Sequence, residues 1–344
     1  MIIDSHAHVS RKDWSSPKFL EEVIEPSVRA SGEPISPVVY EGTDIPGMME
    51  MYRAAGVDKV LLYAVAPREP RRFGRDPATR EIAGAHVSNE YIADVCGQYP
   101  DLTLPVMSFN PRYEGATVLG DMERGVRELG ARAVKLYPTY NHYRPDDREL
   151  CWPIYTKALE LNIPVIVHQS WTTLVDAPMK YQYPSQLDDV ARDFRELVLI
   201  CAHFGVPWIE EAMCLVGKHD NVYVDVSYWA TMEDPEIILR HLLRCPRYGC
   251  TYDRILWGTD FPVTTPGESL KLFRETLPAV ADRLELDRIP ADGLALMLGG
   301  NAARIYGLGS DGRPSAPSRE RSTPGIAASR RAGRGAPPVP LRHR

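Results

Sequence analysis

PVIVHQSW (164–171) and LVLICAHFG (197–205) are short runs of β-branched and apolar residues that each carry a histidine where the run ends. A strand covered on both faces reads as a continuous apolar run, whereas a strand with one wet face alternates. Both stretches read as the first kind, and a helix-type segment at 186–195 separates them. This is the unit from which parallel α/β sheets are assembled.

The unit recurs in both directions. Upstream lie MIID (1–4), KVLLYAVA (59–66), LTLPVMSF (102–109) and AVKLY (133–137); downstream lie NVYVDVS (221–227) and RILWGTD (254–260). Helical patterns fall at 47–56, 88–99, 115–129, 152–161, 208–215, 235–243 and 268–277, with Ser88 placed to cap the second. Eight strand-then-helix units predict an α/β chain folded as a single-domain (β/α)8 TIM barrel over residues 1–308. GLALMLGGNAARIYGL (293–308) is then expected to pack across the outside or bottom. Residues 10–43, with Trp14 and several prolines, form an insertion after the first strand and are read as a lid over the site. Residues 309–344 are rich in Ser, Gly, Pro, Ala and Arg, nearly devoid of large apolar residues, and are expected to be a disordered tail.

Composition narrows the function. The 344 residues carry a formal net charge of −6, with basic residues scattered through the body, which excludes the electrostatic footprint of a nucleic-acid binder and favours a small-molecule partner. No run approaches the roughly 18 apolar residues of a membrane span, and MIIDSHAHVS lacks the features of a secretory leader. The six cysteines form no CxxC pair, so reduced thiols in a cytoplasmic protein are expected.

Five ligand-type side chains fall where strands end. His6 and His8 are separated by one residue, so in extended chain both imidazoles face the same side. His168, His203 and Asp260 close the fifth, sixth and eighth runs. In a barrel these ends converge on one mouth, where catalytic groups sit. His86, His142, His219 and His241 have no partners at ligand spacing and are read as ordinary surface or capping residues. Cys151 and Cys201 have no nearby patterned histidine and are read as structural.

DSHAH at the start, AVKLYP, VIVHQS, CAHFG, NVYVDVS, LWGTDFP and the terminal GGNAARIYGL together resemble the amidohydrolase superfamily, and within it the amidohydrolase-related group that includes aminocarboxymuconate semialdehyde decarboxylase. The resemblance spans residues 1–308. It implies that His6, His8, His168 and Asp260 bind one divalent ion, zinc or in some relatives manganese, with water at the open position. Such an ion makes hydroxide available and polarises a carbonyl. His203 is implied to handle the proton or stabilise charge on substrate, and Asp260 to serve as both ligand and proton acceptor. Lys135 raises the alternative of a carbamylated lysine bridging two ions. A single ion is expected, with Lys135 buried against a carboxylate or contacting an anionic substrate.

Around this centre Tyr137, Trp171, Tyr228, Trp229 and Phe261 are candidate pocket aromatics. Arg68 sits where relatives place an arginine that clamps a carboxylate, although a solvated loop residue beside Arg71 and Arg72 explains it nearly as well. The leading expectation is a hydrolase of an ester, lactone or amide, with hydroxide generated at the ion. The alternative is non-oxidative decarboxylation of an unsaturated or aromatic acid, which uses the same ligands. Aromatic-acid decarboxylases of the group often carry glutamate in place of the first histidine, so retention of His6 tilts the reading towards hydrolysis. A barrel without catalysis, acting as a binding partner, is disfavoured because every ligand is present. Barrels of this group often pair, which makes a homodimer the assembly to test.

Overall fold

A computed structural model of the chain describes residues 1–10, 20–25, 42–66 and 85–308. Eight parallel strands follow one another around a nearly closed barrel: β1 (Ile3–His8), β2 (Lys59–Tyr63), β3 (Thr103–Ser108), β4 (Ala133–Leu136), β5 (Val165–His168), β6 (Leu199–Ala202), β7 (Val222–Asp225) and β8 (Ile255–Leu256). Helices pack on the outside of the sheet between strands, as in Asn89–Gln98, whose first turn is capped by Ser88 accepting from the Tyr91 amide. The helix expected to begin at Trp152 begins instead at Arg148, because the Asp147 carboxylate accepts from the amides of Glu149 and Leu150 and starts it one turn before Pro153. The segment expected at 186–195 is only one short helix, Asp188–Asp193, preceded by a single turn at Pro184–Leu187.

Two apolar layers result. The larger lies between sheet and helices; the smaller fills the barrel with Ile3, Leu61, Leu104, Ile166, Ile200 and Leu256. Ala302, Ile305 and Tyr306 join this inner cluster, so the terminal segment plugs the bottom of the barrel. Gly299 permits the closure, since a Cβ there would stand 2.3 Å from the Met1 carbonyl oxygen.

Of the expected lid, only residues 10, 20–25, 42 and 43 fall among the described residues. Ser10 and Thr43 pair across its base through Thr43 N–H to Ser10 O (2.9 Å) and Ser10 N–H to Thr43 Oγ1 (2.9 Å). The expected tail lies wholly outside the described residues. No helix among them is long and apolar enough to cross a membrane.

Candidate metal centre

β1 extends through both histidines rather than stopping at Asp4, and it contains an irregularity that matters. Asp4 pairs with Val60 and Ala7 with Leu62, so one extra residue is accommodated between them. Without that bulge, alternation from the inward Ile3 would turn Ser5 and Ala7 into the barrel. With it, His6 and His8 face the interior. β8 keeps only Ile255 and Leu256 in regular pairing; the chain then runs irregularly along β1, with Asp260 N–H bonded to His6 O (2.8 Å) and His8 N–H to Phe261 O (2.8 Å).

These elements deliver the expected side chains to one place. Asp260 Oδ1 lies 3.5 Å from His6 Nε2 and 3.3 Å from His8 Nε2. His203 Nε2 lies 3.1 Å from His168 Nδ1, and Ser170 Oγ approaches His168 Nε2 at 3.3 Å. His6, His203 and Asp260 each present one donor atom such that all lie within 4.8 Å of one another. His203, expected as a neighbouring proton carrier, is thus itself one of the three residues grouped closely enough to hold an ion, while His8 and His168 flank them. His203, Tyr228 and Asp260 all hold left-handed backbone (φ 58°, 72° and 56°), a conformation that costs a non-glycine residue about 1–2 kcal/mol. Such outliers gather where surrounding structure over-determines geometry.

Behind this ring stands a carboxylate absent from the residues expected at the site. Asp225 Oδ2 meets His6 Nδ1 at 3.1 Å, while its Oδ1 accepts from the amides of His203 (3.0 Å) and Ser227 (3.1 Å) and from the Ser227 hydroxyl. Ser227 Oγ also contacts His6 Nδ1 (3.1 Å) and His203 Nδ1 (2.9 Å). Both imidazoles are thus held at Nδ1, leaving Nε2 to face the cavity. The signal is present in NVYVDVS, where an aspartate interrupts a strand otherwise buried on both faces. Gly258 is part of the same fit, because a Cβ there would stand 2.9 Å from His6 Cβ and 3.2 Å from Ser227 Cβ.

Burial governs the protonation states. It drives the His6 imidazole down to about 3, with Lys135 adding to the effect, and it lowers His168 and His203 as well. For Asp260 burial pushes the carboxyl up, but His203, His8 and His6 together outweigh it and hold the group ionised. Burial thus favours the neutral form of the three most deeply placed imidazoles, with lone pairs available to a cation, beside a carboxyl held below its usual range by its neighbouring rings. His8 Nδ1 is buried without a hydrogen-bond partner among the described residues. This nitrogen and oxygen donor set fits zinc or manganese.

Lys135 is fully buried, its Nζ 3.4 Å from His6 Nε2 and 5.3 Å from the ring centres of both Tyr63 and Tyr137; burial lowers it to about 8. Tyr63 also stacks on His6 (4.3 Å between ring centres). Tyr137 donates to Ala64 O at 3.2 Å, and its ring lies 6.2 Å from that of His168, so it lines the site. Tyr140, not anticipated, comes closer to His168 (4.9 Å), and Tyr228 stands 6.0 Å from His203. Trp229 and Phe261 go elsewhere. Trp229 packs between Phe204 and His241 outside the barrel, and Phe261 packs against Tyr52. Trp171 sits on the rim, partly exposed, its amide bonded to Val206 O (2.8 Å). Arg68 lies outside the described residues.

The family model for amidohydrolases matches residues 3–308. The chain belongs to the amidohydrolase family. Among solved structures, this amidohydrolase is similar to an uncharacterized TIM-barrel protein from Bordetella bronchiseptica (23% identity, 88% of this chain and 97% of that one, TM-score 0.66). It is also similar to 5-carboxyvanillate decarboxylase from Novosphingobium aromaticivorans, complexed with manganese and 4-hydroxy-3-methoxy-5-nitrobenzoic acid (15%, 89% and 96%, TM-score 0.62). A third is a probable 2-pyrone-4,6-dicarboxylic acid hydrolase from Acinetobacter baumannii (16%, 89% and 99%, TM-score 0.57). At these identities the likenesses establish the fold. No curated protein sequence matches the chain.

Proposed function

We propose that this amidohydrolase is a metal-dependent hydrolase of an ester, lactone or amide in a small organic molecule, with His6, His8, His168 and Asp260 holding one divalent ion, zinc or alternatively manganese. The observation that carries the proposal is the cluster at the mouth: His6, His203 and Asp260 present donor atoms within 4.8 Å of one another, with His8 Nε2 3.3 Å from Asp260 Oδ1 and His168 Nδ1 3.1 Å from His203 Nε2, so that imidazoles surround a single carboxylate and would leave a bound dication with net positive charge. Such an ion supplies Lewis acidity, polarising a carbonyl and making hydroxide available near neutral pH. Asp260, ionised at the mouth, accepts the proton of the attacking water. His203, with Nδ1 engaged by Ser227, exchanges protons through Nε2 and steadies the developing substrate oxyanion. Lys135 and Tyr137 bias the pocket towards a substrate bearing negative charge.

A second reading, non-oxidative decarboxylation, is favoured by the buried cation of Lys135, which suits a substrate carboxylate, and by the likeness to 5-carboxyvanillate decarboxylase. The two are separated by incubating the enzyme with lactones, amides and unsaturated carboxylic acids and recording product masses. A product heavier by one water supports hydrolysis; loss of carbon dioxide installs the decarboxylase. His203→Ala is expected to retain the ion and lose most turnover, whereas His168→Ala loses both. Loss of the ion from His203→Ala would move His203 into the ligand set.

A further inference from the structure

Asp4 stands two residues before His6 but on the other face of the sheet, towards the helix Ile45–Ala54. It is completely buried, and four groups donate to it: the amides of His6 (3.0 Å) and Thr259 (3.1 Å) to Oδ1, and the hydroxyls of Tyr52 (2.8 Å) and Thr259 (2.6 Å) to Oδ2. These fill the lone-pair sites of a carboxylate. All four donors are neutral, so the group is held in the core by hydrogen bonds alone, a costly placement if stability were its only return.

We propose that Asp4 is a positioning residue of the metal centre: one carboxylate fastens the backbone at His6 to the backbone immediately before Asp260, and so sets the spacing between two of the proposed ligands. The seam between the first and last strands is where such a fastening is needed. β8 contributes only two regularly paired residues, and the irregular chain beyond it includes Asp260 in left-handed backbone. Thr259 is gripped by Asp4 through both amide and hydroxyl, and its Oγ1 in turn accepts from the Phe261 amide (2.9 Å), so both flanks of Asp260 are tied to one group. On the other strand the same Oδ1 fixes the His6 amide within the bulge that turns His6 inward. Asp4 itself faces away from the cavity, its oxygens taken up by His6, Tyr52 and Thr259.

This inference rests on the metal-centre reading, and the test separates the two. Apoprotein is titrated with Co2+ under chelator competition, with the visible d–d absorption recorded, for wild type, Asp4→Ala, Asp4→Asn, Thr259→Val and Thr259→Ser. Asp4→Ala and Thr259→Val are expected to bind Co2+ about 10–100-fold more weakly, the usual effect of losing a group that orients ligands, and to alter the absorption bands. Thr259→Ser and Asp4→Asn, which keep oxygen acceptors or donors in place, restore most of the affinity. Ile166→Ala, in the apolar floor, serves as a control that lowers the melting temperature without changing Co2+ affinity. Unchanged affinity and spectrum in Thr259→Val and Asp4→Ala overturn the inference alone, as does an affinity loss no larger than that of an equally destabilised Ile166→Ala. Absence of Co2+ uptake by wild type overturns the metal-centre reading and the inference with it.

Discussion

The floor and the mouth of the same barrel are built on opposite rules. In the floor, Ile3, Leu61, Leu104, Ile166, Ile200 and Leu256 meet Ile305 and Tyr306 of the terminal segment, and the space is filled by packing. One layer higher, strands β1, β4, β5 and β7 turn in His6, His8, Lys135, His168 and Asp225, with Asp260 and His203 arriving from the strand exits. Burial is common to both layers, with only His8 and Asp260 of the upper one partly exposed; the proposed chemistry is confined to that layer. The difference teaches that stability and function occupy adjacent levels of the same strands, so a residue's height along its strand says more about its role than its burial does.

The sharpest way to break this contrast is at the mouth. His6→Ala is expected to reduce bound metal to near zero and abolish turnover while the far-ultraviolet circular dichroism stays that of a folded barrel. Collapse of the fold instead would make the mouth structural. Ile166→Ala should do the reverse, costing about 2–5 kcal/mol in denaturant unfolding because a buried side chain leaves a cavity, with metal content unchanged.

Two glycines sharpen the comparison. Gly299→Ala drives a Cβ towards the Met1 carbonyl in the floor, and Gly258→Ala drives one towards His6 and Ser227 in the mouth. Each overpacking is expected to cost about 1–3 kcal/mol, yet only Gly258→Ala should lower turnover at saturating metal, read as kcat against melting temperature. The smallest effect belongs to Thr265→Ala. It removes a capping box with Glu268 at the start of the helix Pro266–Lys271, and should cost about 0.5–2 kcal/mol with neither metal content nor kcat altered.

Much of this division is legible in the chain. Continuous apolar runs ending on His168 and His203 place the strands, and their exits place the proposed ligands, because burial on both faces leaves a plain signature. Strand β1 is harder. Its bulge is a register event between Asp4 and Ala7 that depends on pairing with β2, and no local pattern announces it. RILWGTD is apolar enough to suggest seven residues for β8, whereas side-chain bonds to Asp4 replace regular pairing after Leu256. The aromatic assignments fail for a related reason. Proximity to a strand end does not say which face a ring takes, so Trp229 and Phe261, expected in the pocket, pack outside it, and Tyr140 lines the site without a sequence signal. Asp225 and Asp4 are legible in principle, as charged residues inside runs that should be apolar.

Elemental analysis of purified wild type beside Asp260→Ala addresses the central claim most directly. The expected result is about one zinc or manganese per chain in wild type and almost none in the variant, with the two proteins alike in secondary structure. Wild type that carries no metal after growth and dialysis with either ion, or an Asp260→Ala protein that retains a full equivalent, would contradict the account.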